Sequence, residues 1–456
     1  FEQIDQPSDV KRLKLNQLET LAAEMRQALL QKLSRRGGHF GPNFGMVEAT
    51  IALHYVFDSP RDKLVFDVSH QTYCHKMLTG RKKAFLSEQH YDDESGYSNP
   101  QESPHDFFTI GHTSTSVSLA CGLAKARDLK GGKENIIAVI GDGSLSGGEA
   151  LEGLDFASEL RSNLIIVVND NQMSIAENHG GLYQNLRLLR ETDGKAECNF
   201  FRAMGLGYVF VKNGNDLSQL IAAFQMVKDA AHPVVVHICT QKGKGFAAAE
   251  KDRESWHWCT PFGMANGKPV AAVEEEDYSS VTASFLLERM KEDKTLVAIT
   301  SATPAVLGFT PEKRREAGSQ FVDVGIAEEH AVTFCAGLAR GGMIPVFAVY
   351  STFLQRAYDQ LIHDGALQHL KIILAVDRAG VVGEDGQTHQ GVFDAAFLRT
   401  VPDIHVYAPT YYDELSDNLD DCIKGENHLY AIRYPRGKEL YRPENYTLSG
   451  KPFYVF

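Results

Sequence analysis

The chain contains 456 residues with a mass of 50.5 kDa, which is enough for roughly two or three domains with buried cores. Its net charge is −13 and its pI is near 5.7, and no block of Lys or Arg stands out, so we expect neither nucleic acid nor an acidic membrane as a partner. The seven cysteines occur singly, without CxxC spacing, which argues against a zinc site and indicates reduced thiols in a cytosol-like compartment. No apolar run reaches the length of a membrane span.

The first predicted element is a capped amphipathic helix over residues 7–33, which Gly37-Gly38 ends. Its apolar stripe comprises Leu18, Leu21, Ala22, Met25 and Leu29. His39 follows the double glycine on a predicted loop. A lone histidine there is ordinarily a surface residue, and it gains functional weight only because other histidines occupy similar positions.

Two polar clusters come next, each at the end of a predicted strand or the start of a predicted helix. An apolar run over residues 63–68 leads to His70, and Gly111, His112 and Thr113 precede the next predicted helix. N–H groups and hydroxyls at such positions suit phosphate contacts. Helix capping is the alternative interpretation of the Ser and Thr residues, and both can hold together.

The central stretch predicts one strand-helix-strand unit. Apolar runs over residues 136–140 and 164–168 are typical of buried parallel strands, and a helix is predicted between them over residues 148–160. The first run ends at a Gly-Asp-Gly triplet and the second at an Asn-Asp-Asn triplet. Because the carboxyl ends of neighbouring parallel strands share one edge of a sheet, both triplets should lie where open α/β sheets bind ligands.

These two triplets together predict a magnesium diphosphate site. The Asp142 carboxylate, the Asn171 amide oxygen and the main-chain carbonyl of Met173 form a hard oxygen shell that suits Mg²⁺ shared with a diphosphate. Gly141 and Gly143 let the backbone approach the phosphate oxygens and donate N–H groups to them. A Gly-Asp-Gly triplet alone is an ordinary turn sequence, so the prediction depends on the pairing.

The second half of the chain predicts another parallel sheet. Residues 261–277 have no periodicity and indicate an interdomain linker. Predicted strands then alternate with helices, over residues 296–300, 321–325, 344–350, 371–376 and 405–409. Glu328 opens a helix beyond one of these strands, where a carboxylate ordinarily compensates the helix dipole.

Several motifs follow one another along the chain: DVSHQTYCHKMLTGR, GHTSTSVSLACGLAKARD, GDGSLSGGEALEGLD, NDNQMSIAEN, YSTFLQRAYDQ, DRAGVVGEDGQTHQG and RYPRG. In this order the chain resembles the 1-deoxy-D-xylulose-5-phosphate synthase family of transketolase-like thiamine-diphosphate enzymes, over nearly all of residues 1–440. The resemblance implies an α/β fold with two parallel-sheet, thiamine-diphosphate-binding domains of the transketolase type. The third, C-terminal domain of full-length relatives is absent from the sequence.

The resemblance also implies a division of the chain and shows two departures. The implied parts are a diphosphate-binding domain over 1–260, a linker over 261–277, a pyrimidine-binding domain over 278–437, and a linker towards the missing domain over 438–456. A long insertion of the family is reduced here to residues 180–201. Asn213 and Asn215 stand where the family usually has Asp and His, so what those groups do elsewhere is in doubt here.

The activity implied by the resemblance is the condensation of pyruvate with D-glyceraldehyde 3-phosphate to 1-deoxy-D-xylulose 5-phosphate and CO₂, with thiamine diphosphate and Mg²⁺ as cofactors. The product is a precursor for isoprenoid and thiamine biosynthesis. A homodimer is expected, in the bacterial cytoplasm or, if a targeting segment was trimmed, in the plastid stroma. Two alternatives stay open: a transketolase acting on ketose phosphates, and a non-catalytic thiamine-diphosphate-binding subunit.

Carried over residue by residue, the resemblance assigns Glu328 to N1′ of the cofactor's aminopyrimidine, where a carboxylate favours the imino tautomer. It makes His39, His257 and His389 candidates for proton transfer or hydroxyl binding. Further cofactor contacts are expected from His70, Gly111, His112, Thr113, Gly141, Asp142, Gly143, Ser144, Asn171, Ile175, Lys242, Phe246, Ile326 and Phe353. Because guanidinium groups bind phosphate bidentately, substrate contacts are expected from Arg356, Arg378, Asp385, His39, His389 and Arg433 or Arg436.

Overall fold

Two parallel β-sheets organise the chain in the computed structural model, which describes residues 1, 3–270, 276–383 and 386–447. The first sheet has the strand order β1-β2-β3-β5-β4, and every neighbouring pair is parallel. Its strands are β1 (Lys63–Phe66), β2 (Ile136–Gly141), β3 (Leu164–Asp170), β4 (Gly207–Val211) and β5 (Pro233–Cys239).

The second sheet has the strand order β10-β11-β9-β8-β6-β7 and is also parallel throughout. Its strands are β6 (Leu296–Thr300), β7 (Phe321–Asp323), β8 (Ile344–Tyr350), β9 (Ile372–Asp377), β10 (Ile404–Tyr407) and β11 (Leu429–Arg433). The fold is therefore the predicted pair of parallel-sheet α/β units.

The α-helices occupy the connections between strands, as parallel sheets require. In chain order they are α1 (Pro7–Val10), α2 (Leu15–Arg36), α3 (Gly41–Gly45), α4 (Val47–Val56), α5 (Tyr73–Lys76), α6 (Lys83–Leu86), α7 (Ser116–Leu129), α8 (Gly148–Ala157), α9 (Gly181–Glu191), α10 (Phe200–Ala203), α11 (Leu217–Val227), α12 (Ala247–Lys251), α13 (Tyr278–Glu292), α14 (Pro311–Ala317), α15 (Glu328–Arg340), α16 (Ser351–Leu354), α17 (Tyr358–Gln360), α18 (Asp394–Leu398) and α19 (Tyr412–Lys424).

The strands of the first sheet are apolar throughout because both faces of the sheet are covered. Ile137 and Val139 of β2 pack in one core cluster with residues of α2, α4 and α11, whereas Ile136 and Ala138 pack in another with residues of α7 and α8. The second sheet is likewise divided between two clusters. Since the faces are filled with apolar side chains, polar groups collect at the ends of the strands.

One predicted element is wrong. The single helix expected over residues 7–33 is two helices, α1 and α2, separated by residues 11–14. Lys14 is extended, with φ −80° and ψ 163°, and its N–H donates to Gln17 Oε1 at 2.8 Å, which begins α2 afresh. The predicted apolar stripe is nevertheless buried along α2, and Gly37 ends that helix with φ 74°.

The predicted strands, which include one expected over residues 234–240, are present with each end within two residues of its predicted position. No bounds were predicted for β4 and β11. The domain boundaries stay predictions, and residues 271–275 of the predicted linker lie outside the described residues. All seven cysteines are free thiols. Among the described helices, none is both long and apolar enough to cross a membrane, and the expected cytoplasmic location stays a prediction.

Candidate active site

The carboxyl edges of the two sheets face each other within one chain. His112 Nε2 lies 3.0 Å from Thr352 Oγ1 and 3.0 Å from the Thr388 carbonyl oxygen, both in the second half of the chain. The Ile326 N–H donates to Ser146 Oγ at 3.1 Å. These hydrogen bonds bring the two polar edges together, so residues far apart in sequence share one site.

Two glycines allow this close approach. A Cβ on Gly111 would lie 2.1 Å from Thr388 Oγ1 of the second half, and a Cβ on Gly143 would lie 2.7 Å from Ser174 Cβ. Real Cβ contacts are longer than this, so any side chain would push the neighbouring segments apart. The close packing of Ser174 therefore requires glycine at position 143, and the expected approach of phosphate is a second reason.

Asp142 lies at the end of β2, as predicted, and is 1 % exposed. Its Oδ2 accepts a hydrogen bond from Asn178 Nδ2 at 2.9 Å. Its Oδ1 is buried and has no hydrogen-bond partner among the residues that the structure describes. Burial, and then the neighbouring carboxylate of Asp170, raise the pKa of Asp142 well above its ordinary value. Such a carboxylate needs a cation or a proton to complete it.

The turn after β3 carries the other predicted metal ligands. Asn171 Oδ1 accepts the Met173 N–H at 3.1 Å, and the Gln172 N–H donates to Asp170 Oδ1 at 3.2 Å. The β2 and β3 strand ends are joined by the Asp142 N–H, which donates to the Asn169 carbonyl at 3.0 Å. The two triplets are therefore neighbours, as the parallel pairing predicted, and ligation by Asn171 and Met173 stays a proposal.

Backbone strain collects at these strand ends. Non-glycine residues with positive φ include Val68 and Ser69 after β1, Gln172 after β3 and Arg378 after β9, with φ of 57°, 68°, 68° and 57°. Ser114, beside the first sheet, has φ 73°. Residues in this region cost free energy and are found most often where a binding site requires them. The strain marks the same edge as the polar residues do.

Glu328 begins α15 and is 3 % exposed. Its Oε2 lies 3.9 Å from Arg356 Nη1, too far for a hydrogen bond, and has no hydrogen-bond partner within the described ranges. Burial raises the pKa of Glu328 to about 7, and Arg356 opposes this shift. Besides compensating the dipole of α15, the Glu328 carboxyl group can therefore bind a group from outside the protein.

Three of the predicted histidines form a cluster on the first half of the chain. The His39 ring centroid lies 4.9 Å from that of His70 and 5.8 Å from that of His257, and His70 stacks on His257 at 5.3 Å. Burial and the neighbouring charges lower the pKa values of His70 and His257 well below the ordinary value, so both rings are neutral at pH 7.

Tyr97 connects this cluster to the second half of the chain. Its ring centroid lies 5.7 Å from that of His39 and 5.2 Å from that of His389. The Ser98 N–H donates to Ser69 Oγ at 2.8 Å, which fixes the loop beside the end of β1. The sequence analysis did not single out Tyr97, because an aromatic residue in a loop carries no local signal of what it contacts.

Asp67 is a second residue that the sequence analysis missed. It is fully buried at the end of β1, and its two carboxylate oxygens accept the N–H groups of Ser114 and Ser116 at 2.8 and 3.0 Å. It therefore caps α7 and holds the strained Ser114. The Ser114 hydroxyl in turn donates to the Ser144 carbonyl at 2.8 Å, which ties this loop to the Gly-Asp-Gly turn. The only sequence signal was an acidic residue directly after an apolar run.

Lys242 and Phe246 come from the same turn and differ in their surroundings. Lys242 is 2 % exposed, its Nζ donates to the Ser174 carbonyl at 2.8 Å, and burial lowers its pKa to about 7. Phe246 packs against Phe40 and Trp256, with centroid distances of 5.2 and 5.0 Å. Lys242 is therefore a buried amine beside the site, whereas Phe246 packs among other aromatic rings, and its expected contact with the cofactor stays a prediction.

The apolar residues predicted to contact the cofactor lie where the two halves meet, except for Ile175, which is half-buried after β3. Phe353 stacks on Tyr350 at 5.2 Å and meets the His112 ring edge at 5.1 Å. Ile326 lines a narrow cavity together with Gly143 and Ser174 of the first half. Both remain proposed supports for a cofactor.

The arginines that were expected to bind phosphate make different contacts within the chain, and their convergence on phosphate stays a prediction. Arg356 donates to Thr113, to Oγ1 at 3.0 Å and to the carbonyl oxygen. Arg433 binds the buried Asp394 carboxylate with two donors, at 2.8 and 3.1 Å. Arg378 pairs with Asp377 at 2.8 Å and lies over the Tyr350 ring.

Local charge patterns could not predict the partners of Arg356 and Arg433, because Thr113 and Asp394 lie 243 and 39 residues away. Arg436 is half-buried beyond β11. Asp385, predicted to bind the acceptor together with His389, lies outside the described residues. His389 itself is 8 % exposed, and its Nδ1 lies 2.9 Å from Thr388 Oγ1.

Asn215, which replaces a family histidine, has a structural role here. Its Nδ2 donates to the Gly45 carbonyl at 2.9 Å and to Glu48 Oε2 at 3.1 Å, and its Oδ1 accepts the Gln241 N–H at 2.8 Å. The residue therefore joins α3 and α4 to the turn that carries Lys242. The substitution is compatible with an ordered site.

The donors present fit a magnesium diphosphate and a thiamine ring. The unpaired Asp142 Oδ1 and the neighbouring amide and carbonyl oxygens form the oxygen set that Mg²⁺ prefers. The unpaired Glu328 Oε2 on the facing edge is a hydrogen-bonding group for a polar ring atom. Both atoms are buried, so each would be costly without a ligand.

Comparisons with known proteins agree with this geometry. The family model described as 1-deoxy-D-xylulose-5-phosphate synthase matches residues 1–199 and 192–240, and the model described as transketolase, pyrimidine binding domain, matches residues 274–440. A 1-deoxy-D-xylulose-5-phosphate synthase from Brevibacillus brevis is 43 % identical over 95 % of this chain and 74 % of its own length.

A relative of the same name from Shouchella clausii is 45 % identical over 96 % of this chain and 75 % of its own length. A solved transketolase from Campylobacter jejuni is 16 % identical, with a TM-score of 0.47, over 95 % of this chain and 80 % of that one, and carries no argument here. The chain belongs to the 1-deoxy-D-xylulose-5-phosphate synthase family.

Proposed function

We propose that the protein condenses pyruvate with D-glyceraldehyde 3-phosphate to 1-deoxy-D-xylulose 5-phosphate and CO₂, with thiamine diphosphate as cofactor. The family to which the chain belongs supports this reaction. The observation that carries it is the pair of buried carboxylates, Asp142 and Glu328, on facing sheet edges, each with an unpaired oxygen among the described residues. Asp142 suits a metal diphosphate, and Glu328 suits the aminopyrimidine at the other end of the same cofactor.

The cofactor would be held from both edges. Asp142, Asn171 and the Met173 carbonyl would hold Mg²⁺ on the diphosphate, and Lys242 would face the same anion. Burial lowers the pKa of Lys242 to about 7, and an adjacent diphosphate would favour its charged form. Glu328 would hold a hydrogen bond to N1′ of the aminopyrimidine.

Bound thiamine diphosphate supplies the nucleophilic carbon and the electron sink for decarboxylation. The protein's own contribution is to position groups, exclude water and hold protons. With its pKa raised to about 7, Glu328 can hold or release a proton at Oε2 near neutral pH. His70 and His257, which are neutral at pH 7, would act as hydrogen-bonding groups, and His39 and His389 lie across Tyr97 from one another.

The substrate phosphate would be bound by Arg378 and by Arg433 or Arg436. Within the chain, Asp394 engages Nε and Nη2 of Arg433. Arg356 contacts Thr113 and lies 3.9 Å from Glu328 Oε2, so it would also support the cofactor edge. Its contact with the substrate phosphate stays a prediction.

A homodimer is part of the proposal. Large apolar side chains are exposed on the outer faces of α7 and α8, where Leu129 is 77 % and Phe156 is 52 % exposed. Another copy of the chain would cover these side chains if they lie in the interface of the homodimer that the resemblance implies. Sedimentation equilibrium tests this part, with twice the chain mass of 50.5 kDa expected.

Release of labelled CO₂ from pyruvate, measured with and without D-glyceraldehyde 3-phosphate, tests the reaction. We expect release that depends on the aldehyde, on thiamine diphosphate and on Mg²⁺, with no ketol transfer from xylulose 5-phosphate. Transfer from xylulose 5-phosphate would indicate a transketolase. Cofactor binding by calorimetry without any CO₂ release would indicate a non-catalytic subunit.

A further inference from the structure

Helix α9 contacts both of the turns that form the proposed metal-diphosphate site. The Tyr183 hydroxyl donates to the Gly143 carbonyl in the Gly-Asp-Gly turn at 3.1 Å. Arg190 Nη1 donates to Asp170 Oδ2 in the Asn-Asp-Asn turn at 2.5 Å. The two residues are seven apart, so they lie on one face of the helix, with the buried Leu186 between them.

Asp170 connects Arg190 to the turn that presents the proposed metal ligands. Its Oδ1 accepts the Gln172 N–H at 3.2 Å, and its Oδ2 accepts both Arg190 and His237 Nε2, the latter at 2.9 Å. Because the Asp170 carboxylate can only accept, His237 Nε2 donates the hydrogen bond to it. His237 Nδ1 lies 2.8 Å from the Tyr208 hydroxyl. Asp170 therefore fixes the strained Gln172 between Asn171 and Met173.

The buried Asp170 carboxylate depends on these partners. It is 1 % exposed, and a buried charge that loses its counter-charge is strongly destabilising. Arg190 supplies the guanidinium group, and its side chain is 19 % exposed. Because α9 brings this charge to the turn, the position of the helix and the shape of the turn are coupled.

The shortened segment after α9 is also fixed. Asn185 Nδ2 donates to the Cys198 carbonyl at 2.9 Å, and Asn185 Oδ1 accepts the Phe200 N–H at 3.1 Å. Asn185 thus closes the connection to α10 directly. The helix is held on its far side by this connection and on its near side by the two turns.

A metal ion held by this cluster itself is the weaker interpretation. Asp170, His237 and Cys239 place three possible ligand atoms within 4.8 Å of one another. The Arg190 guanidinium already contacts the Asp170 oxygen that such an ion would need, and His237 uses both ring nitrogens. The Arg190 guanidinium would repel a cation there. The cluster therefore supports the adjacent turn with the proposed metal ligands and does not bind an ion itself.

We propose that α9 braces the metal-diphosphate site, with Arg190 acting through Asp170 and Tyr183 acting through Gly143. Both are positioning residues: they hold the two turns at the separation that Mg²⁺ and the diphosphate require, and neither touches a reacting atom. The inference rests on the proposed Mg²⁺-dependent cofactor site. It deepens that proposal by assigning a function to the segment between the Asn-Asp-Asn turn and the next strand.

The test compares two arginines on the same helix. Arg187 pairs with Glu191 on the surface, with a side chain that is 69 % exposed, so Arg187→Met is the matched control for Arg190→Met. Calorimetry of thiamine diphosphate binding to the full chain, over a series of Mg²⁺ concentrations, gives the affinity. We expect Arg190→Met to weaken Mg²⁺-dependent binding by about tenfold, as loss of a residue behind a metal ligand does.

Further expected results separate positioning from general damage. Arg187→Met should bind as the wild type does, and excess Mg²⁺ should restore occupancy and kcat in Arg190→Met. Arg190→Lys, which keeps the charge, should recover part of the affinity. Tyr183→Phe removes one hydroxyl and should weaken binding by about threefold.

The proposal is overturned if Arg190→Met and Tyr183→Phe both bind like the wild type, or if Arg187→Met is weakened as much as Arg190→Met. Should Arg190→Met fail to fold, Tyr183→Phe and Arg190→Lys decide the matter. Failure of wild-type chain to bind the cofactor would instead defeat the proposed function, so the two failures are distinguishable.

Discussion

Asp142 and Glu328 are the same kind of group placed in two different environments. Each is a buried carboxylate beyond the carboxyl end of a strand, and each has one oxygen without a hydrogen-bond partner in the part of the chain that the structure covers. Asp142 lies among other oxygen ligands and beside a second carboxylate, Asp170. Glu328 lies beside a single cation, Arg356, at 3.9 Å.

This difference decides what can complete each group. A gathering of acidic and carbonyl oxygens favours a divalent cation, whereas a buried carboxyl group whose neighbouring guanidinium lies 3.9 Å away favours a shared proton. On the proposed function, the edge with Asp142 would hold the charged diphosphate and the edge with Glu328 would hold the aminopyrimidine ring. The same strand-end position serves both because the surroundings, not the carboxylate, set the chemistry.

The largest expected effect comes from removing the proton-holding group. Glu328→Gln should lower the rate of CO₂ release by about 10²–10⁴-fold, which is the range for loss of a positioned acid-base group. Cofactor binding should persist, since the diphosphate edge is unchanged. Steady-state assays under saturating cofactor measure the rate.

Glu329→Gln is the matched control, because it changes the adjacent, partly exposed residue of the same helix. Its rate should equal that of the wild type. If the two variants were equally active, Glu328 would not be the activating carboxylate, and the contrast between the edges would be lost.

A smaller effect, of a different kind, is expected at the other edge. Asp142→Asn keeps the size of the side chain and removes its charge, so it should weaken Mg²⁺-dependent binding of thiamine diphosphate by about 100-fold or more. Calorimetry over a range of Mg²⁺ concentrations measures the affinity. Asp155→Asn, on the exposed face of α8, provides the control.

Unlike the Glu328 variant, Asp142→Asn should regain turnover as Mg²⁺ and cofactor are raised together. An affinity independent of Mg²⁺ in both the wild type and Asp142→Asn would show that the first edge does not bind a metal. The two edges would then differ less than their surroundings indicate.

The smallest expected effect is on the stability of the cofactor-free protein. Burial raises the pKa of Glu328 from 4.5 to about 7 on folding, so the folded chain binds more protons than the unfolded chain between these values. The free energy of unfolding therefore falls as pH rises from 4.5 to 7, by up to about 3 kcal/mol. The free energy of unfolding of Glu328→Gln should lack this fall, because the glutamine side chain does not bind a proton in this range.

Urea unfolding at pH 5 and pH 8 measures the difference between the wild type and Glu328→Gln. We expect the variant to gain stability relative to the wild type at pH 8, and much less at pH 5. A difference between the two proteins that is the same at both pH values would contradict the raised pKa.

The sequence predicted the parts of this site that depend on local patterns. Buried parallel strands are continuous apolar runs, so β2 and β3 and the triplets after them were placed correctly, and parallel pairing made the triplets neighbours. The position of Glu328 at the start of a helix followed from the same periodicity. The adjacency of β2 and β3 followed from the single helix that connects them, whereas the order of the other strands was not predicted.

The parts that could not be predicted depend on contacts between distant segments. The partners of Arg356 and Arg433, Thr113 and Asp394, lie 243 and 39 residues away, so charge alone suggested phosphate binding instead. Tyr97 meets His389 across the two halves, with no pattern in its own loop to indicate it. The break before α2 escaped notice because Lys14 occupies the N-cap position, where Ser, Thr, Asp and Asn are more common.

The hydrogen bonds that join His112 to Thr352 and Arg356 to Thr113 place both edges of a site on one polypeptide. A subunit with a substituted Asp142 and a subunit with a substituted Glu328 therefore cannot supply the missing residue to each other's site. Mixed assemblies of Asp142 and Glu328 variants would show no complementation, and one inactive copy would leave the chemistry of its neighbour intact.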